Sequence, residues 1–497
     1  MNNKLLILLI FPLIGHAQNT TINFYIKNSS NKLIDIYRTS DLANPSVLFG
    51  EWWPSIPLNN GKAQWKDELT EPTSLKVAYI TLDSTQQFEY YLFVSPGDQL
   101  NFTVDEKMLK SSITVTGKGH ENNQAMIQPL HDQFANTLYT DYSSDTLPMR
   151  LLQTIEEKKK QCSVILQDYI SNYKPSRDFV RNESTYLELF TLMHYSRYKG
   201  SQKYSIGKAF DRNEKAWQSL EDSLIQKHPL NNENLLSICD YAGFLMTFLL
   251  QEKENIWMNP AIRNNYYSTE EELALFNSDP ENLVREKIID KNFTGKTAEY
   301  LYASLFEKTT NQKEDNLPEI YVRFKQSYPK SKYIPYIEPI VNDILERRKN
   351  EVNEKMTLIE NSDSIKTFED VLALTTGKTV FLDMWGTWCG PCRNDLKNFT
   401  DSIKNHFKHK PLDYVYIAND DLENEEKWKE LIAYFNLTGT HILASAELTH
   451  DILSKVSGTG LPTYIIIKKD GSYEVFDFEM PRNLQKLYDR LDEILEE

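Results

Sequence analysis

Two cysteines separated by two residues, Cys389 and Cys392, stand where an apolar run, Val380-Phe381-Leu382, gives way to a segment with Leu396, Phe399, Ile403 and Phe407 on one helical face. A chain that passes from strand to helix through Trp388-Cys389-Gly390-Pro391-Cys392 has few folds open to it. The arrangement sets both thiols at a helix N-terminus, where backbone N–H groups without intrahelical partners favour an anion. A thiolate is the anion available. A depressed pKa makes Cys389 a nucleophile near neutral pH, and Cys392, one turn further on, can close a disulfide behind it.

The chemistry follows from that spacing. Cys389 attacks a disulfide in a partner protein and forms a mixed disulfide; Cys392 then attacks Cys389, the reduced partner leaves, and a Cys389–Cys392 bond remains. The reverse sequence oxidises a dithiol. Half of a zinc site has the same C-x-x-C spacing, but zinc needs four ligands. This region offers no second C-x-x-C, and His406, His409, His441 and His450 are scattered. A redox pair with no metal and no cofactor is the stronger reading.

The surrounding elements have a definite order. Phe381-Leu382-Asp383-Met384-Trp385-Gly386-Thr387-Trp388 leads into the pair, with Asp383 six residues before Cys389. Downstream, Asp413 to Ala418 reads as a strand and Glu425 to Phe435 as a helix. Gly460-Leu461-Pro462-Thr463-Tyr464 precedes the run Ile465-Ile466-Ile467. Asp470-Gly471 marks a hairpin turn, after which Tyr473 to Phe476 returns antiparallel. Leu484, Leu487, Tyr488, Leu491, Ile494 and Leu495 close the chain at helical spacing.

On these residues, positions 355–497 resemble an α/β thioredoxin-fold domain, closest to the TlpA/ResA-like extracytoplasmic thiol–disulfide oxidoreductases. The resemblance implies that Asp383 is a buried acid whose raised pKa lets it take the proton from Cys392 as that thiol attacks. A solvated acid at a strand end is the plainer alternative. It also implies that Pro462 is cis and sits beside Cys389, leaving the Leu461 backbone to pair with an extended substrate segment. The implied catalytic set is Cys389, Cys392, Asp383 and Pro462, with Trp388, Gly390, Pro391, Gly460 and Leu461 binding substrate. His441 to Val456 is longer than in plain thioredoxin, as in the extracytoplasmic branch. There is one departure. Where that branch often carries a Glu and a kinking Pro, this chain has Asp395 and Lys397, which leaves the angle of the active-site helix open.

The other end of the chain bears on compartment. Met1 to Lys4 is a short basic start, Leu5 to Ile14 is apolar, and Gly15-His16-Ala17 ends in a small residue before Gln18. Residues 1–17 therefore read as a signal peptide, whose apolar core is shorter than the ~20 residues a bilayer needs. No cysteine follows to take a lipid anchor. Leu235 to Leu250 is the next most apolar segment, broken by Asp240, and reads as a buried helix. The expectation is a protein exported to the periplasm of a Gram-negative bacterium and not spanning the membrane. A net charge of −16 argues against nucleic-acid or anionic-membrane partners, both of which need clustered Lys and Arg. Four cysteines in an exported chain exclude a disulfide-built fold. Cys162 and Cys239 are read as buried free thiols in preference to a bridge between them.

A chain of 497 residues holds about three domains. In residues 18–118, short alternating segments such as Ile22 to Ile26, Leu75 to Ile80, Phe88 to Val94 and Leu100 to Val104 predict an antiparallel β-sandwich. The Pro96-Gly97-Asp98 turn and the Gly-x-x-x-x-Asn after the last strand resemble the DUF4369-like domain that precedes thioredoxin domains in many Bacteroidetes proteins. Trp52, Trp53 and Trp65 are more readily core than a binding face. Residues 119–354 read as α-helical without a fixed-period repeat, and the charged stretch Glu346 to Met356 as an exposed helical linker.

The functional expectation is an exported protein-disulfide reductase. The Gly390-Pro391 pair matches thioredoxin, whose couple lies at about −270 mV, far below the oxidant DsbA at about −120 mV. By the same resemblance its electrons come from a DsbD/CcdA-like membrane donor. Candidate clients are disulfide-bearing periplasmic proteins: apocytochrome c with its haem-site cysteines, as in cytochrome c maturation, or misoxidised secreted proteins. The alternative is a partner-binding or redox-sensing protein in which the β and helical regions recognise a client and the thiol pair is regulatory.

Overall fold

Along Gln18–Lys27 every second residue from Ile22 onward (Ile22, Phe24, Ile26) is apolar and buried, the period-two mark of a strand with one covered face. This strand opens a computed structural model that describes residues 17–497 apart from 41, 51–54, 110, 131–145, 239, 308–312, 360–361, 420–423, 459, 477–483 and 497. The signal-peptide segment up to position 16, Trp52, Trp53 and Cys239 therefore lie outside the described residues.

Eight strands follow one another: β1 (Gln18–Lys27), β2 (Leu33–Arg38), β3 (Ser55–Pro57), β4 (Lys62–Leu69), β5 (Thr73–Ile80), β6 (Gln87–Val94), β7 (Gln99–Asp105) and β8 (Thr114–Lys118). They form two four-stranded sheets, ordered β4-β1-β7-β8 and β3-β2-β5-β6. Phe24, Ile36, Val77, Tyr90 and Phe102 belong to one apolar cluster fed by both sheets, and Trp65 is part of it. Each such side chain contributes about 1.5–3 kcal/mol by leaving water. One expectation is corrected: β1 and β7 pair parallel, while the other ladders of these two sheets are antiparallel. Alternation reports which face of a strand is buried and is blind to strand direction, so the sequence pattern did not reveal this pair.

Two buried asparagines tie the sheets to the helices that follow. The Asn123 amide accepts from Phe93 N (2.7 Å) and donates to Phe93 O and Gly119 O (2.9 Å each), capping the edge of β6 as a further strand would. Asn122 Oδ1 accepts from Ser176 N at 2.8 Å, and the Ser176 hydroxyl in turn caps helix Arg177–Ile206 at Phe179 N. Helices Pro148–Tyr173, Lys208–Lys227 and Tyr241–Met258 belong to the same region. Cys162 is a buried free thiol, and burial raises its pKa. The helix expected from Leu235 starts only at Tyr241; Asp240 stands at its end and pairs with Arg197, so the charge marks a helix start and not an interruption. No described helix is long and apolar enough to cross a membrane.

The chain divides into two compact units. The first ends at Ser304; the second runs from Leu305 and takes in Glu281–Leu283. In the second, helices Leu317–Ser327 and Ile334–Arg347 form a hairpin, and the expected helical linker from Glu346 to Met356 is absent. The helix stops at Arg347, the Asn353 side chain accepts the Lys355 amide in a turn, and Met356 opens a strand. Sheet hydrogen bonds there outweigh the weak pairing of exposed charges along a helix.

That strand, β9 (Met356–Leu358), is the edge of a six-stranded sheet with β10 (Thr379–Trp385), β11 (Leu412–Asn419), β12 (Gly439–Ala444), β13 (Thr463–Ile467) and β14 (Tyr473–Phe476), in the order β14-β13-β10-β11-β12-β9. β10 is central and buried along its whole length. Its Val380, Leu382 and Met384 pack with Val371, Leu448 and Ile452 from helices Phe368–Leu374 and Ala446–Lys455. Its Phe381 packs on the opposite face with Ile403, Phe407, Leu487 and Leu491 from helices Gly390–Phe407 and Leu484–Glu496. Helices cover both faces, which is why β10 reads as a continuous apolar run.

Candidate active site

Asp383 is the one charged residue in β10, and alternation puts it on the Phe381 face, beneath helix Gly390–Phe407. Strand β10 ends at Trp385, and within five residues the chain has turned into that helix. Cys389 is its N-cap: Cys389 N donates to Gly386 O (3.0 Å), Arg393 N donates to Cys389 O (3.1 Å), and Cys392 N donates to Cys389 Sγ (3.2 Å). That last contact is the helix-terminal N–H expected to favour negative charge on the sulfur. Cys389 and Cys392 are joined by a disulfide, with Cα atoms 5.3 Å apart. Both are buried, Cys392 the more so at 1 % exposure against 4 %. Gly390 and Pro391 fill the first helical turn. The helix then runs unbroken to Phe407, with Lys397 at the position where a kinking proline was missed.

Asp383 is buried, and its carboxyl is pushed up to about 8, first by burial and then by the nearby Asp395 carboxylate, with Lys404 pulling the other way. Asp383 Oδ1 has no hydrogen-bond partner among the described residues. It faces a cavity of about 10 Å³ shared with Asp395, Thr400, Tyr416 and Tyr464, at the lower limit of what one water molecule needs. Asp395 accepts from the Tyr464 hydroxyl at 3.1 Å. Lys404, from the same helix, donates to Thr438 O (2.6 Å), and burial draws its pKa down to about 7 against the pull of Asp401 and Asp383. A solvated acid is therefore excluded at position 383.

The Leu461–Pro462 bond is cis. Met384 pairs with Thr463 in the antiparallel β10–β13 ladder, and the same register carried one residue on sets Pro462 level with Trp385, at the strand end from which the cysteine turn leaves. Gly460 O accepts from Thr463 Oγ1 (2.6 Å), and the Leu461 backbone carries no hydrogen bond among the described residues. Trp388 is half exposed; its Nε1 donates to Asn419 O at 3.3 Å. Asn419 itself is buried, donating to Trp385 O and Ile417 O and accepting from Thr449 Oγ1, so it ties the Trp388 perch to β10, β11 and helix Ala446–Lys455.

The histidines stay apart from this chemistry. His441 is buried, donates from Nε2 to Leu437 O (2.6 Å), stacks on Tyr416, and is driven down to about 4 chiefly by burial, so it is a neutral core imidazole. No cluster of three or more metal-ligating side chains occurs among the described residues. Sequence reasoning noted Asp395 only as a departure and missed Tyr464 and Lys404. Cys392, Asp395 and Phe399 recur at i, i+3 and i+7, and that stripe was the available signal for Asp395.

Comparison with known proteins places this region in a known domain family. A thioredoxin-like family model matches residues 377–473, so this part of the chain is a thioredoxin-like domain. Thiol-disulfide oxidoreductase ResA of Bacillus anthracis is 27 % identical over 95 residues, covering 19 % of this chain and 51 % of the relative. ResA of Bacillus cereus (strain ZK / E33L) is 30 % identical over 95 residues, with the same shares. The chain thus spans about half the length of the curated relatives it matches. Among solved structures, the thioredoxin domain of a thiol-disulfide oxidoreductase from Bacteroides vulgatus has 21 % identity and a TM-score of 0.21, covering 25 % of this chain and 84 % of that one. A thiol:disulfide interchange protein from Chlorobium tepidum TLS has 21 % identity and a TM-score of 0.21, covering 25 % and 83 %.

Proposed function

We propose that this protein is an exported thiol–disulfide oxidoreductase that reduces disulfides in client proteins. The observation that carries the reading is the Cys389–Cys392 pair at a helix N-terminus with the buried Asp383 beneath that helix. The Cys389 thiolate attacks a client disulfide, one client sulfur leaves as thiolate, and a mixed disulfide forms. Cys392 then loses its proton to Asp383 and attacks Cys389 Sγ, expelling the second client thiolate. Two electrons and two protons pass to the client, and a dithiol donor, of the DsbD/CcdA-like membrane class, restores the pair. The Leu461 backbone pairs with the client strand, and Trp388, Gly390, Pro391 and Gly460 line its path. In this reading the two N-terminal sheets form a β-sandwich of the DUF4369-like kind, the mature chain starts near Gln18, and the compartment is the periplasm.

A second reading, client recognition by the helical region with a regulatory thiol pair, gains from one observation. A cleft of about 1290 Å³ runs between helices of the first unit, with Phe210, Phe248, Ile262 and Tyr266 among its walls.

The reduction potential of the Cys389–Cys392 couple, read by thiol alkylation across defined glutathione buffers, tests the proposal. A value near the ~−270 mV of thioredoxin supports a reductant, and one near the ~−120 mV of DsbA reverses the electron flow. Absence of a reversible couple sinks the reductase reading.

A further inference from the structure

Beside the cysteine turn, Arg393 meets charged groups from a segment far upstream. Arg393 follows Cys392 and its side chain is 6 % exposed. Its Nη1 lies 2.9 Å from Asp315 Oδ2 and 3.5 Å from the carbonyl oxygen of Thr387, two residues before Cys389. The other Asp315 oxygen meets Lys427 Nζ at 3.0 Å. Next to it, Glu314 pairs with Lys397 and accepts from the Tyr434 hydroxyl. The turn that presents both acids is fixed by Asn282, whose Nδ2 donates to Lys313 O (3.0 Å) and Asp315 O (2.7 Å). Lys397, the substitute for a kinking proline, is thus part of a charge-matched dock between this turn and the active-site helix.

Asp315 is charged at any physiological pH. Burial alone would raise its pKa, but Arg393 and Lys427 outweigh burial and hold it at about 2. A buried cation one turn from a cysteine stabilises the thiolate, and stabilising the thiolate favours the dithiol over the disulfide. An arginine whose charge is cancelled at 2.9 Å exerts little of that pull. Neither Arg393 nor Asp315 is among the groups that shift Asp383 or Lys404 beneath the helix.

Resting on the dithiol reading above, we propose that Asp315 is a positioning residue for the redox pair: it holds the Arg393 guanidinium at the Thr387 carbonyl and cancels its charge beside Cys389, keeping the couple more reducing than a bare arginine would allow. In the full-length protein, Asp315→Asn should lower the Cys389 pKa, read from the pH profile of its alkylation rate. The same variant should shift the equilibrium with glutathione toward the dithiol by about three- to tenfold, tenfold being about 30 mV for a two-electron couple. Arg393→Gln should move both readings the opposite way, and the double variant should return them close to the parent. A purely structural role would lower the melting temperature and leave thiol pKa and equilibrium where they were. Folded Asp315→Asn with both unchanged overturns the proposal. Should that variant not fold, Arg393→Gln decides alone, an unmoved couple counting against it. A parent protein without a reversible Cys389–Cys392 couple would sink the functional reading instead, so the two failures are distinguishable.

Discussion

Asp383 on β10 and Asp395 on the helix capped by Cys389 line one cavity too small for more than a single water, and the Asp395 charge adds to burial in making Asp383 harder to ionise. Asp395 accepts from the Tyr464 hydroxyl through one oxygen, and burial is the largest influence raising Asp383. The proton therefore resides on Asp383, whose carboxyl titrates at about 8. A carboxyl about one unit above neutral pH keeps a minor ionised fraction that can exchange a proton with a thiol.

Stability should carry the signature of this buried acid. The folded carboxyl sits at about 8, above its ordinary 3.8, so the folded state binds the proton more tightly. Stability on this account is full below about pH 4 and falls as pH rises toward about 8. Asp383→Asn removes the loss and should stabilise the thioredoxin-like domain by roughly 3–5 kcal/mol at about pH 8, with little gain at about pH 4. Native-state hydrogen exchange at the β10 amides, compared between the two proteins at each pH, checks this. Equal protection at both pH values would exclude a raised carboxyl.

The same substitution should slow resolution of the mixed disulfide. With no carboxylate to accept the Cys392 proton, decay of the Cys389–client intermediate should fall by about 100-fold or more near neutral pH. Rapid acid quenching and mass measurement of the intermediate gives the rate. An unchanged rate would assign the proton to solvent.

Trp388 should govern client binding through Gly386. A Cβ added at Gly386 would lie 2.9 Å from Trp388 Nε1, so Gly386→Ala must displace the indole from Asn419 O. The expected result is a severalfold higher KM for a disulfide-bearing protein such as reduced-rate insulin assays report, with kcat and reduction potential nearly unchanged. A fall in kcat alone would place Trp388 outside the client path.

In the first unit, Asn123→Ala should be costly. It strips the partner from Phe93 N and from the Phe93 and Gly119 carbonyls, all buried with the side chain that serves them. Leaving such groups unpaired costs roughly 2–4 kcal/mol in all, which a urea titration followed by circular dichroism would register as a lower midpoint. A midpoint within error of the parent would mean that water replaces the amide.

Much of the second unit was legible because its signals are local. The apolar run of β10, the C-x-x-C turn, the 396–399–403–407 stripe and the Asp-Gly hairpin each declare themselves within a few residues, and each lies where expected. The linker at 346–356 misled because charge density suits an exposed helix and an exposed turn equally, and only the ladder between β9 and β12 separates them. The parallel β1–β7 pair was hidden for a related reason, since alternation is the same whichever way a neighbour runs.

The amino-acid sequence by itself determined the thiol pair, its place at a helix start, and an acid on the strand before it, because these depend on spacing along one or two elements. Only the tertiary structure decided what surrounds them. Asp395 and Tyr464 are 69 positions apart, and Glu314 and Lys397 are 83 apart. No periodicity links such residues; they meet because the sheet order and the helix hairpin bring their elements together, and charge in a poorly solvated space depends on who the neighbours are.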